Sequence, residues 1–461
     1  MKLSIRNLGR IAHAELDIRP LTIFVGPNNT NKTWAAYCLY GLARRLTFDP
    51  AASWNALHER AAARVAEFEH AELAARVRAA AERVGAASFH RGEAPRAPDV
   101  SMRITRTELL GGLLGDVRLR MDALDIMNLL RLHREPSEEA EATLDVSPSE
   151  LRRGPIEELR IDVEDLARFI SFTPLKRPAR SEPPGQPKLF EVRDDRDRIL
   201  LLNAAISAFA LCLHDHVAVL PAERKALVAT YKLLRPEFEE VMASPVVAFT
   251  ELLRRPERLA PTEAQVEERR QAWGLLEERI LGAPLHFFPH GAGPSFLFGG
   301  SPDTELPIHA ASSLVRALAG LDVYLKHLAS PGDLLVIDEP EMNAHPAAQL
   351  AITELLALLV NKGIRVVFTT HSPYVLDHVN NLIEASRVSA GRRDEIAARL
   401  KLGSAAAFLD PGGVAAYLFD DHGVVRSIYD AAERSIDWRT FSAVTDEAGN
   451  LYSHILAAEP K

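Results

Sequence analysis

The 461-residue chain has few cysteines, no excess of positive charge and no long apolar run. Its two cysteines, Cys38 and Cys212, are too few to organise a fold by disulfide bonds, and this usage is typical of the reducing cytosol. Lysine and arginine number 54 against 63 aspartates and glutamates, a net charge of −9, which gives no reason to expect nucleic-acid binding. Hydrophobic residues make up 47% of the chain, so we expect a globular, cytoplasmic protein.

The sequence predicts no membrane span. Its longest apolar run, 199–213, is interrupted by Asn203 and Ser207, and a spanning helix needs about 20 apolar residues. We interpret this run as a buried helix. Residues 1–6 alternate as at the start of a strand and lack the apolar stretch of a signal peptide. We therefore expect no membrane partner.

Two stretches of the chain alternate between strand and helix patterns. Near the beginning, the apolar run 21–25 precedes a helical pattern that starts after Lys32. Near the end, β-rich runs at 334–337 and 364–368 flank a helical pattern over 347–361, which is typical of parallel strands joined by a crossover helix. If both stretches build one sheet, the residues between them are an insertion.

The intervening stretch is mostly helical in pattern. Helical spacing predicts helices over 51–90 and around 124–132 and 156–172, whereas proline and charge predict a loop over 174–196. At the N-terminus, residues 3–18 alternate like two short strands. The sequence therefore predicts an α/β fold with a mainly parallel sheet, an N-terminal antiparallel β portion and large α-helical insertions.

Residues 26–33 form a phosphate-loop motif between the first apolar run and the first helix. They match the pattern G-x-x-x-x-G-K-[ST], except that Asn31 replaces the second glycine. Such a loop turns backbone N–H groups around phosphates, Lys32 reaches the β- and γ-phosphates, and Thr33 contacts Mg²⁺. Asparagine is the best non-glycine residue for left-handed backbone, so the motif is kept. The candidate nucleotide-binding residues are Gly26, Pro27, Asn28, Asn29, Thr30, Asn31, Lys32 and Thr33.

Two later strands also end in polar side chains. The run 334–337 leads into Asp338 and Glu339, and the run 364–368 leads to His371. In a phosphate-loop fold the aspartate holds Mg²⁺, and a following glutamate can activate water as a general base. A histidine on a neighbouring strand can contact the γ-phosphate. The catalytic candidates are Lys32, Glu339 and His371, and the metal candidates are Thr33 and Asp338.

Together these residues resemble an ABC-type ATPase of the RecF/SMC/OLD-like group. They are similar in particular to stand-alone bacterial members that carry an AAA-type label and occur beside toxins and antiphage effectors. The resemblance depends on 21–33, 221–224, 334–346 and 369–375, and it extends over roughly 1–45, 215–230 and 283–385. It implies an ABC-type P-loop ATPase head with ATP and Mg²⁺ as cofactors.

The resemblance also implies a composite site shared by two copies of the chain. In this family a signature sequence at the start of a helix contacts the γ-phosphate of the opposing subunit. Ser312 and Ser313 are the candidates here, with Leu314 where the family has glycine. Asn343 lies in a stretch that matches the loop crossing the dimer interface.

The family resemblance divides the chain into head segments and insertions. For the family's glutamine-bearing loop, Glu223 or Arg224 stands in the expected place. The implied segments are the start of the ATPase head with the phosphate loop (1–45), a helical insertion or lid (46–213), a return strand (214–230), a helical arm (231–282), the rest of the head (283–390) and a small α/β extension (391–461).

The implied activity is Mg²⁺-dependent ATP hydrolysis in a dimer or larger homo-oligomer. The 90 residues after His371 are fewer than the roughly 100 that a compact Toprim nuclease needs, and they show neither its Glu nor its Asp-x-Asp at strand ends. We therefore expect ATP to gate a separately encoded effector, a nuclease or toxin, in antiphage defence. Two alternatives stay open. One is an ATP-binding scaffold with little or no turnover, favoured by Asn31 and Leu314. The other is a RecF-like DNA-repair ATPase, against which the net charge of −9 weighs.

Overall fold

A computed structural model describes about two thirds of the chain. The described residues are 1–44, 101–104, 117–132, 137–147, 150, 156–162, 169–174, 188–191, 216–234, 241–254, 263–287, 296–300, 305–437, 447 and 450–455. Contacts divide the chain into two compact units that alternate along the sequence. The first contains Met1–Ser4, Leu39–Asp122 and Glu141–Val217, and the second contains Ile5–Cys38, Ala123–Ala140 and Ala218–Lys461.

The strands follow one another along the described residues as numbered here. They are β1 (Lys2–Leu8), β2 (Ile11–Asp17), β3 (Leu21–Val25), β4 (Ser101–Ile104), β5 (Val117–Met121), β6 (Glu141–Val146), β7 (Ile156–Asp162), β8 (Phe169–Pro174), β9 (Lys188–Glu191), β10 (Val217–Leu220), β11 (Leu285–Phe287), β12 (Phe296–Phe298), β13 (Leu306–Pro307), β14 (Leu334–Ile337), β15 (Arg365–Thr370), β16 (Val414–Phe419), β17 (Val425–Ser427), β18 (Tyr429–Asp430) and β19 (Ser435–Ile436).

The α-helices are numbered in the same way. They are α1 (Lys32–Arg44), α2 (Ala123–Leu130), α3 (Arg224–Thr230), α4 (Ser244–Arg254), α5 (Glu263–Gly274), α6 (Ser313–His327), α7 (Pro346–Asn361), α8 (Pro373–Ser386) and α9 (Arg393–Arg399). A π-helical segment, Leu275–Leu281, continues α5. Among the described helices, none is both long and apolar enough to cross a bilayer.

A six-stranded sheet organises the second unit, with strand order β10-β14-β15-β3-β16-β17. Three successive pairs, β14 with β15, β15 with β3 and β3 with β16, are parallel, and β17 is antiparallel to β16. Every residue of β3, β14 and β16 is buried, because apolar runs of this kind suit parallel strands that are covered on both faces. In the register, Val25 pairs with Thr370 on one side and with Leu418 on the other. The carboxyl ends of these strands therefore meet at one edge of the sheet.

Three amphipathic helices share one hydrophobic core with this sheet. Leu321 and Tyr324 of α6, Leu355 of α7 and Leu376 of α8 are almost fully buried. Burial of each such side chain contributes about 1.5–3 kcal/mol. Ser372 caps α8 by accepting a hydrogen bond from the backbone N–H of Val375 at 3.3 Å. The core thus fixes the sheet edge from which the loops after β3, β14 and β15 depart.

Each unit also contains smaller antiparallel sheets among its described residues. In the second unit, β11, β12 and β13 form a three-stranded antiparallel sheet. In the first unit, β5 pairs with β6, and β4, β7, β8 and β9 form a four-stranded antiparallel sheet.

The predicted α/β class with a mainly parallel sheet is confirmed, but the expected insertion 46–213 differs from its prediction. The helix expected around 124–132 is present as α2. The helix predicted over 156–172 is wrong, because this stretch forms β7 and β8. Its charged residues favour a helix locally, whereas pairing with neighbouring strands decides the structure. The helices predicted over 51–90 and 199–213 lie outside the described residues.

The C-terminal stretch 391–461, expected as a small extension, supplies a central strand of the main sheet. Strand β16 pairs in parallel with β3 along its length. Its six residues are all buried, and an apolar strand of this kind needs a neighbour on each side. This pairing places the turn after β16 beside the phosphate-loop motif.

Candidate functional site

The loop after β3 has the backbone conformation that its glycine and asparagines allow. Gly26 has φ 144°, and a Cβ atom there would lie 2.1 Å from the carbonyl oxygen of Phe419. Asn29 and Asn31 have φ 63° and 64°, in the left-handed region. Asparagine adopts this region more readily than other non-glycine residues, so Asn31 keeps the geometry that the motif needs. The loop then enters α1 at Lys32, with the N-terminus of the helix toward the sheet edge.

Lys32 folds back over this loop. Its ammonium group donates hydrogen bonds to the carbonyl oxygens of Gly26 at 2.9 Å and Pro27 at 2.6 Å. Burial lowers the pKa of Lys32 to about 8, and the carboxylates of Glu339 and Asp338 act against that shift. A buried ammonium above a loop of this shape can bind phosphate oxygens.

Asp338 and Thr33 bring oxygen ligands together where β14 ends. The Thr33 hydroxyl lies 3.0 and 3.1 Å from the two carboxylate oxygens of Asp338. The hydroxyl of Thr369 on β15 also donates to Asp338. Burial raises the pKa of Asp338, while the hydrogen bonds from both threonines lower it.

This donor set fits Mg²⁺. A hydroxyl and a carboxylate are hard oxygen ligands, and Mg²⁺ is usually held by one or two carboxylates together with substrate phosphates. Within the described part of the chain, no group of three or more His, Cys, Asp or Glu side chains could hold a metal by itself. The residues present therefore suit a cation that arrives with a phosphate group.

Glu339 and His371 form a pair next to this oxygen cluster. A carboxylate oxygen of Glu339 lies 3.2 Å from Nε2 of His371. The pKa of Glu339 is lowered, chiefly by the hydrogen bond from His371, although partial burial opposes the shift. Glu339 is thus ionised near neutral pH and can accept a proton. Its backbone has φ 46°, and its N–H donates to the Thr369 hydroxyl at 2.9 Å.

Glu341 holds the backbone at His371 by hydrogen bonds. One carboxylate oxygen of Glu341 accepts hydrogen bonds from the Thr370 hydroxyl and, at 3.1 Å, from the backbone N–H of His371. Glu341 is 7% exposed, and burial raises the pKa of its carboxyl group. These bonds fix the chain where β15 ends, and with it the direction of the histidine.

One known protein family is similar to part of the chain. Residues 213–377 match a family model described as "AAA domain, putative AbiEii toxin, Type IV TA system". The match includes β14 and β15, which precede Asp338 and His371, and it begins after the phosphate loop. No curated protein matches the chain.

Solved structures of SMC head domains are also similar to the chain. A Thermotoga maritima SMC head is 12% identical, with 82% of this chain and 90% of that chain covered and a TM-score of 0.29. An Smc head with an extended coiled coil, bound to a ScpA C-terminal domain derived from Pyrococcus furiosus, is 10% identical, with 97% and 98% covered and a TM-score of 0.32.

Three residues were predicted to contact the nucleotide of a second copy: Ser312, Ser313 and Asn343. Their described hydrogen bonds do not involve Asp338, Glu339 or His371. Ser312 is exposed and caps α6 by accepting a hydrogen bond from Val315 N–H at 3.3 Å. The hydroxyl of Ser313 lies 3.5 Å from Nη2 of Arg316. Asn343 is exposed and has φ 64°. Their roles across an interface remain predictions.

Two residues of the site were not predicted from the sequence. Thr369 bonds both Asp338 and Glu339, and in the sequence it is one of two threonines that end a strand with an apolar centre. Asp421, in the turn after β16, acts electrostatically on Lys32. Thr369 begins the stretch 369–375 but was given no role there, and Asp421 stands in no motif, because each reaches the site through the pairing of distant strands.

The side chain of Asn31 gives a first testable prediction. Its amide oxygen accepts a hydrogen bond at 2.9 Å from the backbone N–H of Arg10, in the turn between β1 and β2. Replacement by glycine removes this bond, worth about 0.5–1.5 kcal/mol, but suits φ 64°. Replacement by alanine removes the bond and adds about 1–2 kcal/mol of backbone strain. In urea unfolding we therefore expect Asn31→Ala to be less stable than Asn31→Gly by about 1 kcal/mol. Equal stability of the two variants would contradict this account.

Proposed function

We propose that the chain binds ATP with Mg²⁺ and hydrolyses it at a site completed by a second copy of the chain. The observation that carries this proposal is the meeting of three distant stretches at one sheet edge. There Thr33 lies within 3.1 Å of Asp338, and Glu339 lies 3.2 Å from His371. The family similarity over 213–377 supports an ATPase of the P-loop class.

In this proposal the phosphate loop holds the triphosphate. Backbone N–H groups of 28–31 and the N-terminus of α1 face the phosphate oxygens, and Lys32 turns from the loop carbonyls toward the β- and γ-phosphates. Thr33 and Asp338 hold Mg²⁺. The bound cation supplies charge neutralisation of the phosphate oxygens.

Glu339 serves as the general base. Its ionised carboxylate accepts a proton from the attacking water, and His371 orients that carboxylate by the hydrogen bond at 3.2 Å. His371 also stands at the end of the strand between β14 and β3, where an imidazole N–H can contact a γ-phosphate oxygen. Glu341 keeps the histidine in place through its backbone.

The composite site and the effector extend the same proposal. Ser312 and Ser313, at the N-terminus of α6, and the exposed Asn343 contact ATP bound to the partner copy. Binding and hydrolysis then shift the oligomer between two states and gate a separately encoded nuclease or toxin in antiphage defence. The description of the matching family as a toxin–antitoxin system supports this assignment.

A matched pair of substitutions at Thr33 tests the proposed Mg²⁺ site. Thr33→Val keeps the shape of the side chain but removes the hydroxyl that bonds Asp338, whereas Thr33→Ser keeps the hydroxyl. We expect Thr33→Val to lose at least about 10-fold in Mg²⁺-dependent ATP hydrolysis, which corresponds to one interaction with a charged group. Thr33→Ser retains activity. Steady-state phosphate release, with and without EDTA, measures the effect.

Phosphate release, together with measurements of ATP binding and DNA binding, decides between the proposal and its alternatives. Hydrolysis that is insensitive to EDTA, or equal in Thr33→Val and the wild type, would contradict the Mg²⁺ site. Tight ATP binding by the wild type without phosphate release indicates the regulatory scaffold instead. Salt-dependent binding of DNA by the wild type favours a repair ATPase.

A further inference from the structure

Arg224 carries a fully buried guanidinium group whose donors all go to backbone carbonyl oxygens. Nη1 donates to the carbonyls of Pro221 at 2.9 Å and Asp338 at 2.5 Å. Nη2 donates to the carbonyl of Glu339 at 2.6 Å, and Nε donates to that of Ala317 at 2.8 Å. Arginine offers five N–H donors in a rigid fork, so nearly all of its hydrogen-bonding capacity is used here. Arg224 therefore does not replace the family's glutamine as a side chain that reaches the site.

Two of these bonds hold the backbone of the proposed general base. Glu339 has φ 46°, a region that a residue with a Cβ atom keeps only when its surroundings enforce it. Its N–H is bonded to the Thr369 hydroxyl at 2.9 Å, and its carbonyl is bonded to Arg224 at 2.6 Å. The preceding carbonyl, that of Asp338, is bonded to Arg224 as well. The guanidinium group thus fixes the direction in which Glu339 presents its carboxylate to His371.

The fourth bond joins the same guanidinium group to helix α6. Ala317 lies in the second turn of α6, whose first turn begins at the half-buried Ser313 and is capped by the exposed Ser312. A helix moves as a rigid element, so a displacement of its N-terminus also displaces the Ala317 carbonyl. One side chain therefore contacts both the helix that would meet the partner's nucleotide and the residue that would activate water.

We propose that Arg224 is a positioning residue that couples α6 to Glu339, so that an anion engaged at the N-terminus of α6 sets the geometry of the general base. This coupling deepens the proposed ATPase function and depends on it. A lysine at position 224 keeps the charge but offers donors from a single nitrogen, which cannot reach all four carbonyls. The coupling thus requires the fork shape of the guanidinium group as well as its charge.

The test compares Arg224→Lys with a matched control, Arg269→Lys. Arg269 is also buried and donates to two backbone carbonyls at the C-terminal end of α6, those of Lys326 and Leu328 at 3.1 and 3.3 Å, but it contacts neither the N-terminus of α6 nor Glu339 through a hydrogen bond described here. We expect Arg224→Lys to lower kcat about 100-fold, the usual effect of misplacing a catalytic group by about 1 Å. ATP affinity, measured with a fluorescent ATP analogue, stays within about threefold of the wild type. Arg269→Lys keeps both values.

Amide hydrogen exchange without nucleotide separates this inference from the proposed function. We expect faster exchange at 312–317 and 338–343 in Arg224→Lys than in the wild type, and no such change in Arg269→Lys. A wild type that does not hydrolyse ATP refutes the proposed function, whereas the exchange data still test whether Arg224 couples α6 to Glu339. The inference is overturned if Arg224→Lys matches Arg269→Lys in kcat or in exchange, or if it loses ATP affinity in proportion to kcat.

A second variant covers the case in which Arg224→Lys does not fold. In the wild type, we expect ATP with Mg²⁺ to slow exchange at 312–317 and at 338–343 together. Ser313→Asp places a negative charge at the N-terminus of α6 and repels an anion there, so slowing at 338–343 is lost. Equal protection of 338–343 in Ser313→Asp and the wild type would also overturn the coupling.

Discussion

Glu339→Gln reduces ATP hydrolysis about 100- to 10,000-fold, the range that a general base contributes, and leaves ATP affinity unchanged. Glutamine has nearly the same shape as glutamate and can still contact His371, 3.2 Å from the present carboxylate. It cannot accept a proton from water. Since the hydrogen bond from His371 lowers the pKa of Glu339, the wild-type residue is ionised near neutral pH and the loss is one of chemistry. Single-turnover phosphate release and equilibrium ATP binding measure the two quantities.

A control for Glu339→Gln makes the same chemical change elsewhere. Glu384, on α8, forms an exposed ion pair with Arg387 at 3.0 Å and has no part in the proposed site. We expect Glu384→Gln to hydrolyse ATP like the wild type, because an exposed pair contributes little to stability. Wild-type hydrolysis in Glu339→Gln would remove the general base from the proposal. Loss of ATP binding in that variant would assign Glu339 to the nucleotide pocket instead.

The strands that build the sheet edge could be predicted from apolar runs alone. The run 21–25 is β3, and the run 334–337 is β14. The helix predicted over 347–361 is α7, Pro346–Asn361. The strands are predictable because a parallel strand buried on both faces is apolar at nearly every position, whatever its neighbours are.

Some site residues could be predicted from their place next to an apolar strand, and others could not. Asp338 directly follows the apolar strand β14, and Lys32 and Thr33 begin α1 after the loop that follows β3, so their proximity follows from a parallel sheet. The roles of Thr369 and Arg224 could not be found in this way. Thr369 meets Asp338 because β14 pairs with β15 in one register, and Arg224 meets Glu339 through packing of the loop after β10. Contacts of this kind depend on three-dimensional packing rather than on spacing along the chain.

The prediction over 156–172 was wrong for a related reason. Ile156–Asp162 contains charged residues that suit a helix, and its apolar residues fit neither period well. Antiparallel pairing with β4 and β8 makes it a strand. Short segments of mixed composition take the structure that their partners allow, and those partners are distant in the sequence.

The second large effect is expected for Lys32→Ala, which weakens the binding of ATP. The ammonium group of Lys32 is the cation that the loop presents, and one charge-assisted hydrogen bond contributes about 1.5–3 kcal/mol. We therefore expect ATP affinity to fall about 10- to 100-fold, with hydrolysis lost in parallel at subsaturating ATP. Lys225→Ala, in the first turn of α3, is the matched control, because it removes a lysine outside the phosphate loop. Unchanged affinity in Lys32→Ala would exclude the loop as the phosphate site.

The pH dependence of ATP affinity tests the same residue without a substitution. Burial lowers the pKa of Lys32 to about 8, so its ammonium group loses a proton as the pH rises through that value. A bound triphosphate favours the charged form, so binding takes up a proton at higher pH and affinity falls. We expect wild-type affinity at about pH 9 to be roughly 10-fold weaker than at about pH 7, whereas Lys32→Ala keeps its low affinity over this range. A flat profile for the wild type would mean that Lys32 is charged throughout and that burial in the free protein is relieved before ATP binds.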